Sequence, residues 1–374
     1  MRLHILPDEK IINRTIKMFE EVYLGGNKYI ILLRGDSTTG KYVQKCSEQV
    51  FFLKYDSDTF WSTVGDIKNY ESVIIHYLSD YSADFINHIK HPKIYWIEWG
   101  GDLYNTFLEY KGFKLYEDEK LINQVSHGHI PSCLFKYYKN YQRRKSLKIL
   151  YPAVKKVKYF VPDSMYDEYP LFKAYYPEFS HLEYREFFYY PIDEILGADL
   201  LDKTCEGHAI MVGNSCSFTS NHLSILQKLK DLEVDNKIIV PLSYAGNEEY
   251  KKLIINFGQD NFGNKFKPVV DYMPLDEYNK MLLSAGVFIY GSLRQEAVGN
   301  ILIALYLGGK VFLDNRNPLL KFYKSLGLTI FSMDELFDEN LKVFLSVEDI
   351  IKNKRILMKK YSLSRLLNLL RENF

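Results

Sequence analysis

The strongest constraint in this chain is a pattern repeated from end to end: short unbroken apolar runs, rich in Val, Ile, Phe and Tyr, each followed by a longer stretch of helical period. "RLHIL" (2–6), "YIILLR" (29–34), "VFFLK" (50–54), "VIIHYL" (73–78), "KIYWIEW" (93–99), "VKYFVP" (157–162) and "EFFYYP" (186–191) form a first series. "HAIMVGN" (208–214), "KIIVPLSY" (237–244), "FKPVVDYM" (266–273), "GVFIYG" (286–291), "KVFLD" (310–314) and "LTIFS" (328–332) form a second. Alternating polarity would mark a sheet with one wet face. Continuous apolarity requires strands covered on both faces, as in parallel sheets wrapped by helices. Amphipathic stretches such as 221–232 and 275–283 supply that cover. The expectation is an α/β protein.

A chain of 374 residues exceeds the usual size of one such core, so two domains are expected. "IDEILGADLLDKTCEGH" (192–208) is charged, poor in strand formers and separates the two series. It sets the divisions at 1–195, 196–348 and a helical C-terminal segment, 349–374. That last segment is amphipathic and basic; it can pack on the first domain or lie on anionic lipid. A net charge of +1 leaves no basic excess for a nucleic-acid-binding domain. Cys46, Cys133, Cys205 and Cys216 show no C-x-x-C spacing, which speaks for ordinary buried thiols in a reducing compartment and against a disulfide framework or zinc site. The N-terminal apolar piece is too short for a signal peptide, and no run reaches the ~18 apolar residues of a membrane span. A soluble cytoplasmic protein is expected.

In open parallel sheets, ligands bind beyond the carboxyl ends of the strands, so the residues that follow each run carry the chemistry. Gly213, Asn214 and Ser215 follow "AIMV" and lead toward a helix, an arrangement that suits a phosphate as well as a plain capped turn. In "FIYGSLRQEAVGN", Arg294 can fork onto a diphosphate, Gly299 and Asn300 can bring backbone N–H groups to it, and Glu296 can accept from sugar or ribose hydroxyls; a solvated Arg–Glu loop is the plainer account. In "IYWIEWGGDLYNTF", Trp96 and Trp99 interleave with Glu98 ahead of Asp102 and Tyr104. Rings beside carboxylates serve carbohydrate handling, but the tryptophans can equally be core and Asp102 a helix cap. His76 ends "VIIHYL" and is a candidate base or a structural hydrogen bonder.

Three motifs point elsewhere. "GDSTTGKY" (35–42) has the outline of a phosphate-binding P-loop, but Tyr42 replaces the Ser or Thr that would ligand magnesium. "DSD" (56–58) resembles a metal-binding D-x-D, and "SHGH" (126–129) offers two imidazoles without a clear third ligand; neither is taken as a metal site. The stretch 136–158 is basic and aromatic with no acid, either a solvated helix face or a docking face for an anionic membrane.

"WGGDLY" (99–104), "VGNS…SNH" (212–222), "VPLSYAGNEEY" (240–250), "RQEAVGN" (294–300) and "DNRNP" (314–318), in that order, resemble the TDP-N-acetylfucosamine:lipid II N-acetylfucosaminyltransferases, the 4-alpha-L-fucosyltransferases of glycosyltransferase family 56. The similarity runs from about Val73 to Glu335. It implies a GT-B fold, two Rossmann-like domains facing across a cleft. The first would be the acceptor domain, the second the nucleotide-sugar domain, and the C-terminal helices would return to the first. It implies transfer of a sugar from a nucleotide-diphosphate donor to a polyprenyl-diphosphate-linked saccharide in bacterial surface polysaccharide assembly. The reaction would need no cofactor and no metal; peripheral association with an anionic membrane surface, the cytoplasmic face of the inner membrane, is expected through the basic stretches 136–158 and 350–371. Carried over by motif, the donor side is Gly213, Asn214, Ser215, Asn221, Tyr244, Arg294, Gln295, Gly299 and Asn300, and the acceptor side Trp99, Asp102 and Tyr104.

The family pattern has Gln where this chain has Glu296 and an apolar residue where it has Glu98. In an inverting reaction Asp102 is the first candidate base, with His76 and Glu98 behind it. Arg294 and the helix starts near Gly213 and Gly299 would stabilise the departing diphosphate. Two other classes fit the same residues: a GT-B-like pyruvyltransferase or sugar-nucleotide epimerase, and a non-catalytic nucleotide-sugar-binding module.

Overall fold

The computed structural model describes residues 1–35, 37–55, 57–127, 132–163, 165 and 167–374, without the side chains of 127, 132–136 and 275. It contains two compact units. Unit one comprises Met1–Phe113, Lys139–Tyr189 and Ser364–Phe374; unit two comprises Lys114–Tyr138 and Tyr190–Leu363.

Unit one is built on β1 (Arg2–Pro7), β2 (Asn27–Leu33), β3 (Val50–Lys54), β4 (Ser72–His76), β5 (Ile94–Glu98), β6 (Tyr159–Pro162) and β7 (Glu183–Tyr184), in the order β3-β2-β1-β4-β5-β6-β7. Every pairing is parallel. The central strands β1, β4 and β5 are buried almost throughout, which is why their sequences do not alternate. On one flank Trp96 packs against Phe107, Phe160 and Phe172. On another, Phe374 closes on Phe19, Tyr95 and Phe187, while Arg365 pairs with Glu186 at 2.9 Å. These contacts bind the last residues into unit one.

Unit two carries β8 (Ala209–Val212), β9 (Ile238–Pro241), β10 (Phe266–Val269), β11 (Ala285–Tyr290), β12 (Lys310–Leu313) and β13 (Phe331–Ser332), in the order β10-β9-β8-β11-β12-β13, again parallel. The segment 114–138 belongs here because Ile122 and Val125 enter the core with Ile210, Val212, Ile238 and Leu226. Asn247 adds a bond to the Val125 carbonyl at 2.8 Å.

In both sheets the strand order reverses about a neighbouring pair, β1 with β4 in unit one and β8 with β11 in unit two. At such a reversal the flanking connections leave on opposite faces and open a crevice above the strand ends.

Several expectations are corrected. The aromatic run 186–191 is not a strand; the last strand of unit one is Glu183–Tyr184, and of the run Phe187 alone makes a bridge, to Asp163. Phe187, Phe188 and Tyr189 fill the core without forming a strand. Cys205 and Cys216 are buried, but Cys46 is exposed. "GDSTTGKY", which is not expected to be a P-loop and whose Asp36 lies outside the described residues, turns its backbone inward: the N–H groups of Lys41, Tyr42 and Val43 all donate to the Asp8 carboxylate, at 2.5, 3.0 and 2.9 Å. An internal anion already occupies that nest. Asp56 of "DSD", the side chains of Cys133 and His127, and Gly128 and His129 of "SHGH" lie outside the described residues.

Candidate active site

Two loops of unit two leave adjacent strands at the reversal point. The first follows β8. Its Gly213 has φ +68°, and a Cβ there would stand 2.8 Å from Nε2 of His222, so only glycine fits. Ser215 is buried and accepts from the Ser217 backbone at 3.3 Å. The loop ends at Asn221, left-handed at φ 50°, which begins the helix His222–Asp231 without a side-chain cap. Asn221 is a brace: its amide donates to the carbonyls of Gly291 (2.8 Å) and Thr219 (3.1 Å) and its oxygen accepts from Glu117 N–H (3.0 Å).

The second loop follows β11 and holds Arg294, Gln295 and Glu296. It ends at Ala297, also left-handed (φ 60°), which begins the helix Val298–Tyr306, again without a side-chain cap. Gly299 and Asn300 lie in its first turn. Two helices therefore start from the loops of adjacent strands without side-chain caps, each behind a left-handed residue other than glycine. Such conformations cost ~1–3 kcal/mol and persist only where the surroundings over-determine them.

Glu296 joins the loops. Its Oε2 accepts the hydroxyls of Thr219 (2.5 Å) and Ser292 (2.6 Å) and lies 3.6 Å from the Arg294 guanidinium. Burial alone would raise this carboxyl, but Arg294 and the Ser292, Thr219 and Ser217 hydroxyls outweigh it and hold it below the usual range. Arg294 donates from Nη1 to the Gln295 carbonyl at 2.7 Å, while its buried Nε has no hydrogen-bond partner. His222 is fully buried, which pushes its imidazole down to about 4, and its Nε2, beneath Gly213, has no partner by the same geometry. Gln295 is buried; Asn214 reaches the hydroxyl of exposed Tyr244 at 3.3 Å, and Asn300 accepts from Tyr278 at 2.7 Å.

Motif reading passed over Asn317 as a site residue. It is buried at the end of "DNRNP", with its amide on the carbonyls of Ser292 (2.9 Å) and Arg294 (2.8 Å) and its oxygen on Leu319 N–H (3.0 Å). It props the Arg294 loop from the neighbouring strand. An Asn just before Pro, a helix-cap signature, was the signal available.

In unit one the residues after β5 form a tight turn. Asp102 is buried, with its carboxylate filled by Leu78 N–H (2.8 Å), the Trp96 indole N–H (2.7 Å) and Trp99 N–H (2.9 Å). Burial raises its pKa against those three donors. Tyr104 is wholly buried against Phe113 and turned toward Glu168. Glu98 is wholly buried too, beside Glu168: burial, then the charges of Glu168 and Asp102, lifts Glu98 well above the usual range, and burial lifts Glu168 to about 8. Glu98 also accepts Gly100 N–H.

His76 lies in a file of donors. The Trp99 indole donates to the Tyr189 hydroxyl (2.7 Å), which meets Nδ1 of His76 (2.6 Å); Nε2 of His76 meets Nδ1 of His4 (3.1 Å), and Nε2 of His4 meets the Asn27 oxygen (3.2 Å). The Asn27 amide nitrogen is spent on Glu20 and the Tyr23 carbonyl, so His4 must donate to Asn27, His76 to His4 and Tyr189 to His76. Both imidazoles are neutral: burial lowers His4 to about 3 and His76 well below the usual value. Of the acceptor-side residues, Trp99 keeps partial exposure, whereas His76, Glu98, Asp102 and Tyr104 form the buried frame beneath it.

Among the described residues no cluster of three His, Cys, Asp or Glu side chains could hold a metal ion, and no helix is long and apolar enough to cross a membrane.

Residues 174–359 match the family described as 4-alpha-L-fucosyltransferase, glycosyl transferase group 56. The whole chain also superposes on solved structures. A glycosyltransferase from Rickettsia africae ESF-5 has a TM-score of 0.61 at 15% identity, covering 100% of this chain and 96% of that one. Anabaena HepE in complex with UDP gives 0.59 at 10% identity (100% and 99%), and sucrose-phosphate synthase from Thermosynechococcus elongatus 0.63 at 9% (100% and 98%). At these identities the likeness is one of fold, the GT-B type with two parallel-sheet α/β domains.

Proposed function

We propose that this chain, a glycosyltransferase of group 56 that uses a nucleotide-sugar donor and a glycan acceptor, holds the donor diphosphate over the β8–β11 reversal of unit two and takes a polyprenyl-diphosphate-linked saccharide as acceptor. One observation carries the donor assignment. Two helix starts without side-chain caps and the unpartnered Nε of Arg294 belong to the two loops at that reversal. Backbone N–H groups, the helix dipoles and a guanidinium together suit an anion. They also stabilise what the reaction generates, since negative charge grows on the diphosphate as the C1–O bond breaks. Glu296 holds Arg294 in place, and Asn221 and Asn317 hold the loops. The sugar is N-acetylfucosamine-like, by resemblance.

On the acceptor side, Trp99 is the contact surface, and Asp102, His76, Glu98 and Tyr104 act by setting its position. The chain works at a cytoplasmic membrane face without a metal ion or other cofactor. Exposed Tyr141, with the exposed cations Arg144, Lys145 and Lys148 on the same helix, supplies the contact with anionic lipid.

A thermal-shift screen against nucleoside diphosphates and nucleotide sugars tests the donor site, because a ligand of the native state raises the melting temperature. Stabilisation by a nucleoside diphosphate that persists in EDTA, and is lost in Arg294→Ala, is expected. No stabilisation by any member of the panel would remove the assignment. Flotation with liposomes tests the lipid contact, which fails if anionic vesicles bind no better than neutral ones.

A further inference from the structure

Tyr77 adopts a backbone conformation that tyrosine rarely takes. It is the first residue beyond β4 and is left-handed, with φ 69°. Three bonds hold it there: its N–H donates to the Ile97 carbonyl (3.0 Å), and its own carbonyl accepts Ser79 N–H (3.1 Å) and the Ser82 hydroxyl (3.2 Å). The twist turns the ring toward the end of β5, where it meets Trp99 edge to face, centroids 5.8 Å apart and planes at 64°. Gly101 lies beneath the ring, where a Cβ would come into ordinary contact with it at 3.5 Å. Both rings are partly exposed, and the Trp99 indole is pinned by Tyr189. They form a rigid corner at the carboxyl ends of adjacent strands.

Beside the corner, at the β1–β4 reversal, is a narrow cavity lined in part by Tyr77, Tyr81, Arg34 and Ser79. Its volume of about 20 Å³ suffices for a single water. A sugar ring is too large to enter it. The nearby helix Asp80–His88 is closed by a reciprocal Ser79–Ser82 capping box and carries Asp80 in its first turn, so its N-terminus adds no pull on an anion.

We infer that Tyr77 is a specificity-determining residue for the acceptor. The Tyr77–Trp99 corner receives the C–H face of one neutral pyranose ring, while Arg34 and Ser79 meet its hydroxyls at the cavity mouth. The inference rests on the reading of Trp99 as the acceptor surface.

The test is steady-state transfer from the donor found by thermal shift to a farnesyl-diphosphate-linked N-acetylhexosamine disaccharide, by wild type, Tyr77→Phe and Tyr77→Gly. Glycine takes positive φ freely, so Tyr77→Gly relieves the backbone while losing the ring and should hold the melting temperature near that of wild type. Its acceptor KM should rise by about tenfold or more, as loss of a stacking contact of ~1.4 kcal/mol requires, with donor KM unchanged. Tyr77→Phe should stay near wild type. Transfer by a Tyr77→Gly enzyme with wild-type acceptor KM overturns this inference alone, as does a rise of both KM values together with a fall in melting temperature. A wild type that consumes donor only by hydrolysis, indifferent to the acceptor, overturns the acceptor reading and this inference together.

Discussion

Oε2 of Glu296 lies 3.6 Å from the Arg294 guanidinium and holds it between two strand-end loops. The pair leaves Arg294 oriented but not saturated, because its Nε makes no bond. Arg294→Ala should lower kcat/KM by ~10²–10³-fold, the usual loss for one electrostatic donor at a developing charge. Arg294→Lys should rescue little, since an ammonium has no planar fork. Steady-state transfer beside a melting curve decides it; wild-type turnover in the alanine variant would sink the assignment.

Gly213→Ala places a methyl 2.8 Å from His222 Nε2 at a φ of +68°. The expected cost is ~1–3 kcal/mol of stability, together with loss of nucleoside-diphosphate binding. Urea unfolding and calorimetric titration measure the two effects separately. Retained binding would mean that the loop after β8 lies outside the donor site.

Asn317→Ala removes a helix cap and strands two buried carbonyls, those of Ser292 and Arg294. A loss of ~2 kcal/mol is expected, with weaker donor binding although Asn317 itself is buried away from the crevice. Asn317→Asp keeps the cap but turns a carboxylate oxygen on those two buried carbonyls, so it should restore neither the stability nor the binding.

The Glu98–Glu168 pair and the His4–His76 pair give unit one opposite pH dependences. Glu168 is raised to about 8, so the native state binds more protons than the unfolded chain; its contribution is complete below the unfolded value of 4.5 and is lost as pH rises through 8. His4, lowered to about 3, works the other way: its contribution is complete above 6.5 and lost as pH falls toward 3. Glu168→Gln mimics the protonated acid and should flatten the alkaline limb. Melting temperatures from pH 5 to 9 would show the variant gaining on wild type as pH rises, and parallel curves would refute the pairing.

The strand series was legible almost entirely, because strands buried on both faces leave no polar gaps in their sequence. The helix expected at 275–283 is the observed Leu275–Leu283. Arg294 and Gly213 were also legible, since each follows a recognisable strand. What escaped was set by contacts distant in sequence. The assignment of 114–138 to unit two depends on Ile122 and Val125 meeting Ile210 and Val212. Asp102 looked reactive because a carboxylate after two glycines often is, and nothing local shows that Leu78 and Trp96 will fill it. Tyr77 escaped because backbone conformation at a non-glycine residue leaves no mark in composition.

The file from Trp99 through Tyr189, His76 and His4 to Asn27 admits only one set of hydrogen positions, because Asn27 can only accept from it and Trp99 can only give. A proton cannot travel along it without reversing every member, and its far end is anchored on Glu20 beneath the sheet. It is therefore a ratchet rather than a wire: it transmits orientation from the first helix of the chain to one indole, and shuts proton traffic out.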